Sequence, residues 1–196
     1  MEINTFQPND IDEVARMAAE VWGKRERSAE FNRVFCGHLA RYSFYTPELA
    51  LQMTDEDGLQ AIAFGWMPGD TNDADEWVEN QMDGLTDEER QAIRCNVEYL
   101  KRTDAELQRK MEHGKSAKLS FFISRKSGCG APLLSRLTEL LRERGVEWLY
   151  LWSDCTCNWT YYVHHGYMQI GHGEVPEYST PDDNYTYMLF RKNIKL

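Results

Sequence analysis

Arg125-Lys126-Ser127-Gly128-Cys129-Gly130-Ala131 sets two glycines at the point where an apolar run gives way to helical spacing. The run before it, Leu119-Ser120-Phe121-Phe122-Ile123, has the length and apolarity of a buried strand. Leu133, Leu134, Leu137, Leu140 and Leu141 after it repeat as a helix does. Glycines at such a turn let backbone N–H groups approach a ligand, and a helix start adds partial positive charge. A phosphate or pyrophosphate is the natural occupant. Arg125 and Lys126 carry charge suited to that anion, and equally suit a solvated loop. The segment is not a nucleotide P-loop, because Ala131-Pro132 stands where Lys-Ser/Thr would be, and it lacks the third glycine of a dinucleotide fingerprint. Taken alone it is also an ordinary helix start with glycines for tight packing, and Pro132 fits a first turn on either reading.

A second segment extends the pattern. Trp148-Leu149-Tyr150-Leu151-Trp152 is strand-like and runs into Ser153-Asp154-Cys155-Thr156-Cys157-Asn158. Trp159-Thr160-Tyr161-Tyr162-Val163-His164-His165-Gly166-Tyr167 follows. Together the two segments resemble the GNAT (GCN5-related N-acetyltransferase) superfamily. Its acyl-CoA loop reads Arg/Gln-x-x-Gly-x-Gly/Ala, matched by Arg125, Gly128 and Gly130. Its next motif places an Asn after a strand and then Tyr-x-x-x-Gly-Phe/Tyr, matched by Asn158, Tyr162, Gly166 and Tyr167. The match covers about residues 117–172 well and the N-terminal part in outline. The loop here is shorter than is usual in the family, and a long stretch stands before Leu119 where the family has a tight connection.

The resemblance implies an α/β (α+β) fold: a mixed, mostly antiparallel sheet with helices on both faces and a splayed pair of parallel strands. Acyl-CoA, most simply acetyl-CoA, would insert between the splayed strands, assigned to 119–123 and 148–152. The chemistry is acyl transfer from a thioester to a neutral amine by direct attack. Backbone N–H of Phe122 and Ile123 are candidate donors to the developing oxyanion. Ser127, Gly128, Cys129, Gly130 and Ala131, with Arg125 and Lys126, would hold the diphosphate. Tyr162 takes the general-acid position by resemblance, since a phenol keeps its proton at neutral pH; the plainer reading is a core aromatic. Tyr161, its neighbour, is read as packing elsewhere. Asn158 either bonds the pantetheine arm or caps a helix. Asp154, just past the second strand, is a candidate general base, though a carboxylate at a turn is commonly structural.

The other chemistry-bearing residues have plainer readings. His164 and His165 suit a helix C-terminus without catalysis. Cys155-x-Cys157 lacks the second ligand pair a zinc site needs, so no metal is expected, and packing as small apolar residues explains the pair. Cys129, at a helix start, is open to oxidation if its thiol is activated there.

The whole chain sets bounds. Its 196 residues suit one domain, 1–196, with a charged helical insertion at about 71–113. The formal net charge of −10, from 22 basic and 32 acidic residues, argues against nucleic acid as a partner. It is compatible with a cationic amine acceptor and equally with solubility alone. The polar start Met1-Glu2-Ile3-Asn4 shows no signal peptide, no run reaches membrane-spanning length, and five cysteines suit a reducing cytoplasm.

Positioning elements read as follows: a strand over 1–7, a helix capped by Pro8-Asn9-Asp10 with Ile11, Val14, Ala15, Ala18, Val21 and Trp22 on its face, and a helix over 28–38. Residues 49–53 and 59–66 form a hairpin about the turn 55–58. Thr86-Asp87-Glu88-Glu89 has the form of a capping box, and Ile93, Val97, Leu100, Leu107 and Met111 make a sparse apolar stripe. Residues 167–172 and 185–190 are the last strands. Three functions follow: an acetyl-CoA-dependent N-acetyltransferase for a small-molecule or peptide amine, a non-catalytic acyl-CoA-binding regulatory module, or an interaction domain working through the insertion. The insertion itself reads as a lid, a homodimer contact or a solvated decoration. Trp66 is a candidate wall of the acceptor pocket.

Overall fold

The computed structural model describes residues 2–112 and 114–195, so Met1 of the first strand and His113 of the insertion lie outside the described residues. Seven strands form one sheet in the order β1-β2-β3-β4-β5-β7-β6. These are β1 (Glu2–Thr5), β2 (Ala50–Asp55), β3 (Gly58–Trp66), β4 (Ser116–Ser124), β5 (Trp148–Asp154), β6 (Met168–Glu174) and β7 (Thr186–Asn193). The helices are α1 (Ile11–Trp22), α2 (Ala29–Ser43), α3 (Ala74–Asn80), α4 (Asp87–Lys110), α5 (Gly130–Glu143) and α6 (Thr160–His164). The expected order of elements is the observed one.

Neighbouring strands run antiparallel except β4 and β5. That parallel pair is joined only at Ser116–Trp148, Ala117–Leu149 and Lys118–Tyr150. Past Lys118 and Tyr150 the two strands separate, while β4 stays paired with β3 as far as Ser124 and β5 with β7 as far as Asp154. The separation begins beside a bulge: Phe64 opposes Phe121 and Gly65 opposes Leu119, which leaves Ser120 as the extra residue of β4. Ser120 Oγ is tied back to the carbonyls of Ser43 at 2.7 Å and Phe64 at 3.1 Å.

Three apolar clusters hold the sheet. On one face α1, α2 and the start of α4 bury Phe6, Val34, Phe64 and Phe121. On the other, α5 buries Leu133, Leu137 and Leu141 against Ala63, Leu119, Leu149 and Phe190. The third cluster sets Tyr99, Leu100 and Leu107 of α4 against Tyr150, Tyr187 and Leu189. The stripe Ile93–Met111 is therefore core, and the insertion is not a solvated decoration.

Helix starts follow side-chain chemistry. Ser28 Oγ accepts from the Phe31 N–H at 3.0 Å. Thr86 and Glu89 form the reciprocal capping box, and Glu89 also accepts from Ser28 Oγ at 2.6 Å, joining the starts of α2 and α4. Boundaries shift in places: α2 runs five residues past the expected end at His38, to Ser43. β4 begins three residues before the expected Leu119. No helix among the described residues is long and apolar enough to cross a membrane.

Candidate active site in the split sheet

The gap between β4 and β5 opens into a cavity of about 940 Å³ that passes through the sheet. One end reaches the glycine turn: Lys126, Ser127, Gly128, Gly130 and Ala131 line it, with Asn158, Tyr161 and Tyr162. The other end lies under α1, α2 and α4, and Asp154 sits between at the close of β5.

The turn has the conformation its glycines permit. Gly128 has φ of +87°, where a side chain would be strained. Gly130 has ordinary backbone, but a Cβ there would stand 2.6 Å from Phe122 Cζ. The first backbone bond into α5 runs from Leu133 N–H to Cys129 O at 3.4 Å. The N–H groups of Gly130 and Ala131 are thus N-terminal donors without a backbone partner among the described residues, suited to an anion. Cys129 is buried, away from oxidants in solvent. Arg125 and Lys126 are engaged elsewhere: Arg125 pairs with Glu13 and Glu20 of α1 and donates to Leu59 O at 3.0 Å, and Lys126 bonds Asp55 at 2.5 Å and Asp57 at 3.1 Å. Arg125 therefore fastens the turn to α1. Lys126 remains on the cavity wall, its charge shared with two carboxylates.

Strand alternation sorts the proposed oxyanion donors. Arg125 N–H donates to Gln60 O at 2.8 Å, which makes Ile123–Ile62 a hydrogen-bonded pair and Phe122–Ala63 a non-bonded one. The Phe122 amide points into the gap and the Ile123 amide toward β3.

Tyr161 and Tyr162 both line the cavity, which corrects the expectation that Tyr161 faces elsewhere. Neighbours on a helix point about 100° apart, not 180°, and the cavity reaches both rings on α6. The Tyr161 ring stacks on His165 with centroids 3.8 Å apart, and its buried hydroxyl has no partner among the described residues. Tyr162 packs against Tyr167 at 5.5 Å and Phe190 at 5.9 Å. Burial, more than the neighbouring tyrosines, pushes its phenol well above the ordinary value. Asn158 is exposed and its Oδ1 accepts from Thr160 Oγ1 at 3.0 Å, while the α6 N-cap is Trp159 without a side-chain bond.

Asp154 is buried. Its Oδ1 accepts from Thr156 N at 2.9 Å and Thr156 Oγ1 at 2.5 Å, and Tyr99 Oη lies 3.5 Å from Oδ2. Burial, followed by the Asp154 charge, drives the Tyr99 phenol upward. Burial likewise raises the Cys157 thiol, so it stays protonated.

Sequence reasoning missed a second buried carboxylate. Asp104 of α4 accepts from Lys118 Nζ at 2.5 Å, Trp152 Nε1 at 2.7 Å and Tyr42 Oη at 3.0 Å. Lys118 is the last β4 residue paired with β5, and its ammonium also lies 5.4 Å from the rings of Tyr45 and Trp66. This pair marks the apex of the split. Trp66 belongs to that cluster and donates to Asp70 O at 3.1 Å; it is not a wall of the cavity. Among the described residues no group of His, Cys, Asp and Glu is arranged to hold a metal ion.

No family model and no curated protein matches the sequence. Solved structures do match the fold over nearly the whole chain. Arylalkylamine N-acetyltransferase 2 from Aedes aegypti is 14% identical with a TM-score of 0.59, covering 99% of each chain. The ribosomal-protein-S18-alanine N-acetyltransferase from Escherichia coli is 14% identical with a TM-score of 0.56, covering 100% of this chain and 94% of that one. The aminoglycoside 6'-N-acetyltransferase from Enterococcus faecium is 14% identical with a TM-score of 0.55, covering 100% and 98%. At such identity the likeness is one of fold, and the fold that this chain carries is that of the GNAT N-acetyltransferases.

Proposed function

We propose that the protein transfers an acetyl group from acetyl-CoA to a primary amine. One observation carries this reading: the gap past Lys118 and Tyr150 joins a glycine turn at a helix start to a chamber, with the buried carboxylate of Asp154 between them. The residues present suit the cofactor. The N–H groups of Gly130 and Ala131 fit its phosphates, and the open edge of β4 offers unpaired backbone to its amide-bearing arm. Bound acetyl-CoA supplies the activated thioester.

The chain's own groups do the rest. The Phe122 N–H, aimed into the gap, donates to negative charge developing on a carbonyl oxygen. Tyr162 stays protonated because burial raises its pKa, so it holds a proton to give to a departing thiolate. Asp154, at the mouth between the two ends, accepts a proton from the ammonium form of the acceptor. The same GNAT neighbours carry N-acetyltransferase names, which supports acetyl transfer as the reaction class.

A second reading, a non-catalytic acyl-CoA-binding module, draws on the packing of Tyr162 against Tyr167 and Phe190, as a purely structural ring packs. Tyr162→Phe separates the two. With acetyl-CoA and a panel of amines, thiol release should fall at least tenfold while the thermal shift produced by acetyl-CoA is retained. Unchanged thiol release removes Tyr162 from the chemistry, and no release from the parent chain with any amine favours the binding module.

A further inference from the structure

The acceptor end of the cavity has a distinct composition. Aromatic rings from five parts of the chain line it: Trp22 of α1, Phe35 of α2, Tyr99 of α4, Trp152 of β5, and Tyr178 and Tyr185 from the segment before β7. Tyr99 is the node. Its ring stands edge-on to Trp152 at 5.6 Å, Tyr178 at 5.4 Å and Tyr185 at 6.2 Å. The hydroxyls of Tyr99 and Tyr178 are directed to Asp154 and to Asn96 Oδ1, at 3.5 Å and 3.1 Å, so these polar ends are used within the protein.

Two buried carboxylates face this space and differ in one respect. Asp104 is neutralised by Lys118. Asp154 has only neutral partners, and no Lys, Arg or His among the described residues pairs with it. A buried carboxylate without a cation carries a desolvation cost that an entering cation relieves. The surrounding rings add attraction for a cation on their faces and a large apolar surface for its body.

We infer that the acceptor is a small primary amine with a single positive charge and an apolar or aromatic body, its ammonium against Asp154 and its body among Tyr99, Trp152, Tyr178 and Tyr185. For its chemistry this rests on the acetyl-transfer reading; for binding it does not. A polycation finds one buried carboxylate without a cation, Asp154, with only the exposed Glu26 besides and rings for its remaining charges, and a neutral apolar alcohol leaves Asp154 uncompensated.

The test is direct titration of the full chain at neutral pH, followed by tryptophan fluorescence, with and without saturating CoA. The probes are 2-phenylethylamine, 2-phenylethanol and spermidine. The amine should bind at least tenfold tighter than either of the others. Asp154→Asn should weaken the amine at least tenfold and leave 2-phenylethanol unchanged. Tyr185→Ala, which opens a wall and leaves the carboxylate in place, should weaken the amine and not spermidine; it serves if Asp154→Asn fails to fold. Equal or tighter binding of spermidine, an amine affinity indifferent to both substitutions, or no amine binding in either condition overturns the inference. Binding of 2-phenylethylamine without thiol release leaves it standing and sinks the transferase reading. Thiol release with spermidine and not with 2-phenylethylamine does the reverse.

Discussion

Asp104→Leu removes the carboxylate from under three donors and leaves Lys118 charged inside the protein. The side chains of Lys118 and Asp104 are 3% and 5% exposed, so water cannot replace the lost partner. Removing one member of a buried pair costs about 3–5 kcal/mol, because the other charge is left uncompensated. The ring contacts of Lys118 with Tyr45 and Trp66 persist in both forms and do not change the difference. The stranded Trp152 N–H and Tyr42 O–H add to the loss, which places the effect near the upper end, about 4–5 kcal/mol. In a chain of this size each kcal/mol lowers Tm by roughly 2–4 °C, so a fall of about 8–20 °C is expected. Pairing the change with Lys118→Met removes the orphan charge and should recover most of the loss, leaving about 1–2 kcal/mol for the two unpaired donors. Urea unfolding by tryptophan fluorescence, run as a double-mutant cycle, measures both quantities. A single variant within about 1 kcal/mol of the parent, or a double variant no more stable than the single, refutes the reasoning.

Two further outcomes are expected. His38 is buried, neither ring nitrogen has a hydrogen-bond partner among the described residues, Asp75 Oδ1 is 3.7 Å away, and burial lowers its pKa from 6.5 to about 4. The unfolded chain therefore binds this proton more readily, so stability is fully present above about pH 6.5 and falls as pH drops toward 4, by roughly 3 kcal/mol at the limit. Urea midpoints compared at pH 7 and pH 5 should show that slope flattened in His38→Met, and an unchanged slope refutes the assignment. Gly128→Ala places a side chain at φ of +87° with open space around it, so the strain is in the backbone alone. A loss of about 1 kcal/mol in unfolding free energy, with weaker acetyl-CoA affinity by calorimetry, is expected; full affinity counts against the turn as a phosphate cradle.

How much was legible depended on whether a signal was local. The turn, the capping box and the hairpin each lie within a few residues, and each appears where the sequence places it. The split in the sheet came only through resemblance, because no spacing within β4 or β5 tells that their pairing stops after three residues. Lys118 hid the start of β4: a lysine ahead of an apolar run reads as solvent-facing until its carboxylate is known. Asp104 had a visible signal. It falls four residues after Leu100 and three before Leu107, in phase with the buried stripe of α4. In a helix this rich in charge, one acid on that stripe does not stand out from the exposed ones. Tyr178 lies in an irregular polar segment, and Tyr185, expected to open the last strand, falls just before β7, so neither ring's position follows from periodicity. The aromatic chamber therefore could not be assembled from periodicity.

The short contact between β4 and β5 has a mechanical consequence. A sheet joined at three residue pairs is two panels on a hinge, and backbone bonds alone would let them swing. Helix α5 braces one face, with leucines that touch both panels, and α4 braces the other, with Ile93 and Val97 against the first panel and Leu100 and Leu107 against the second. Helix α4 is thus a crossbeam. Its 24 residues reach from the cluster of the first panel to that of the second and tie the two together across the gap.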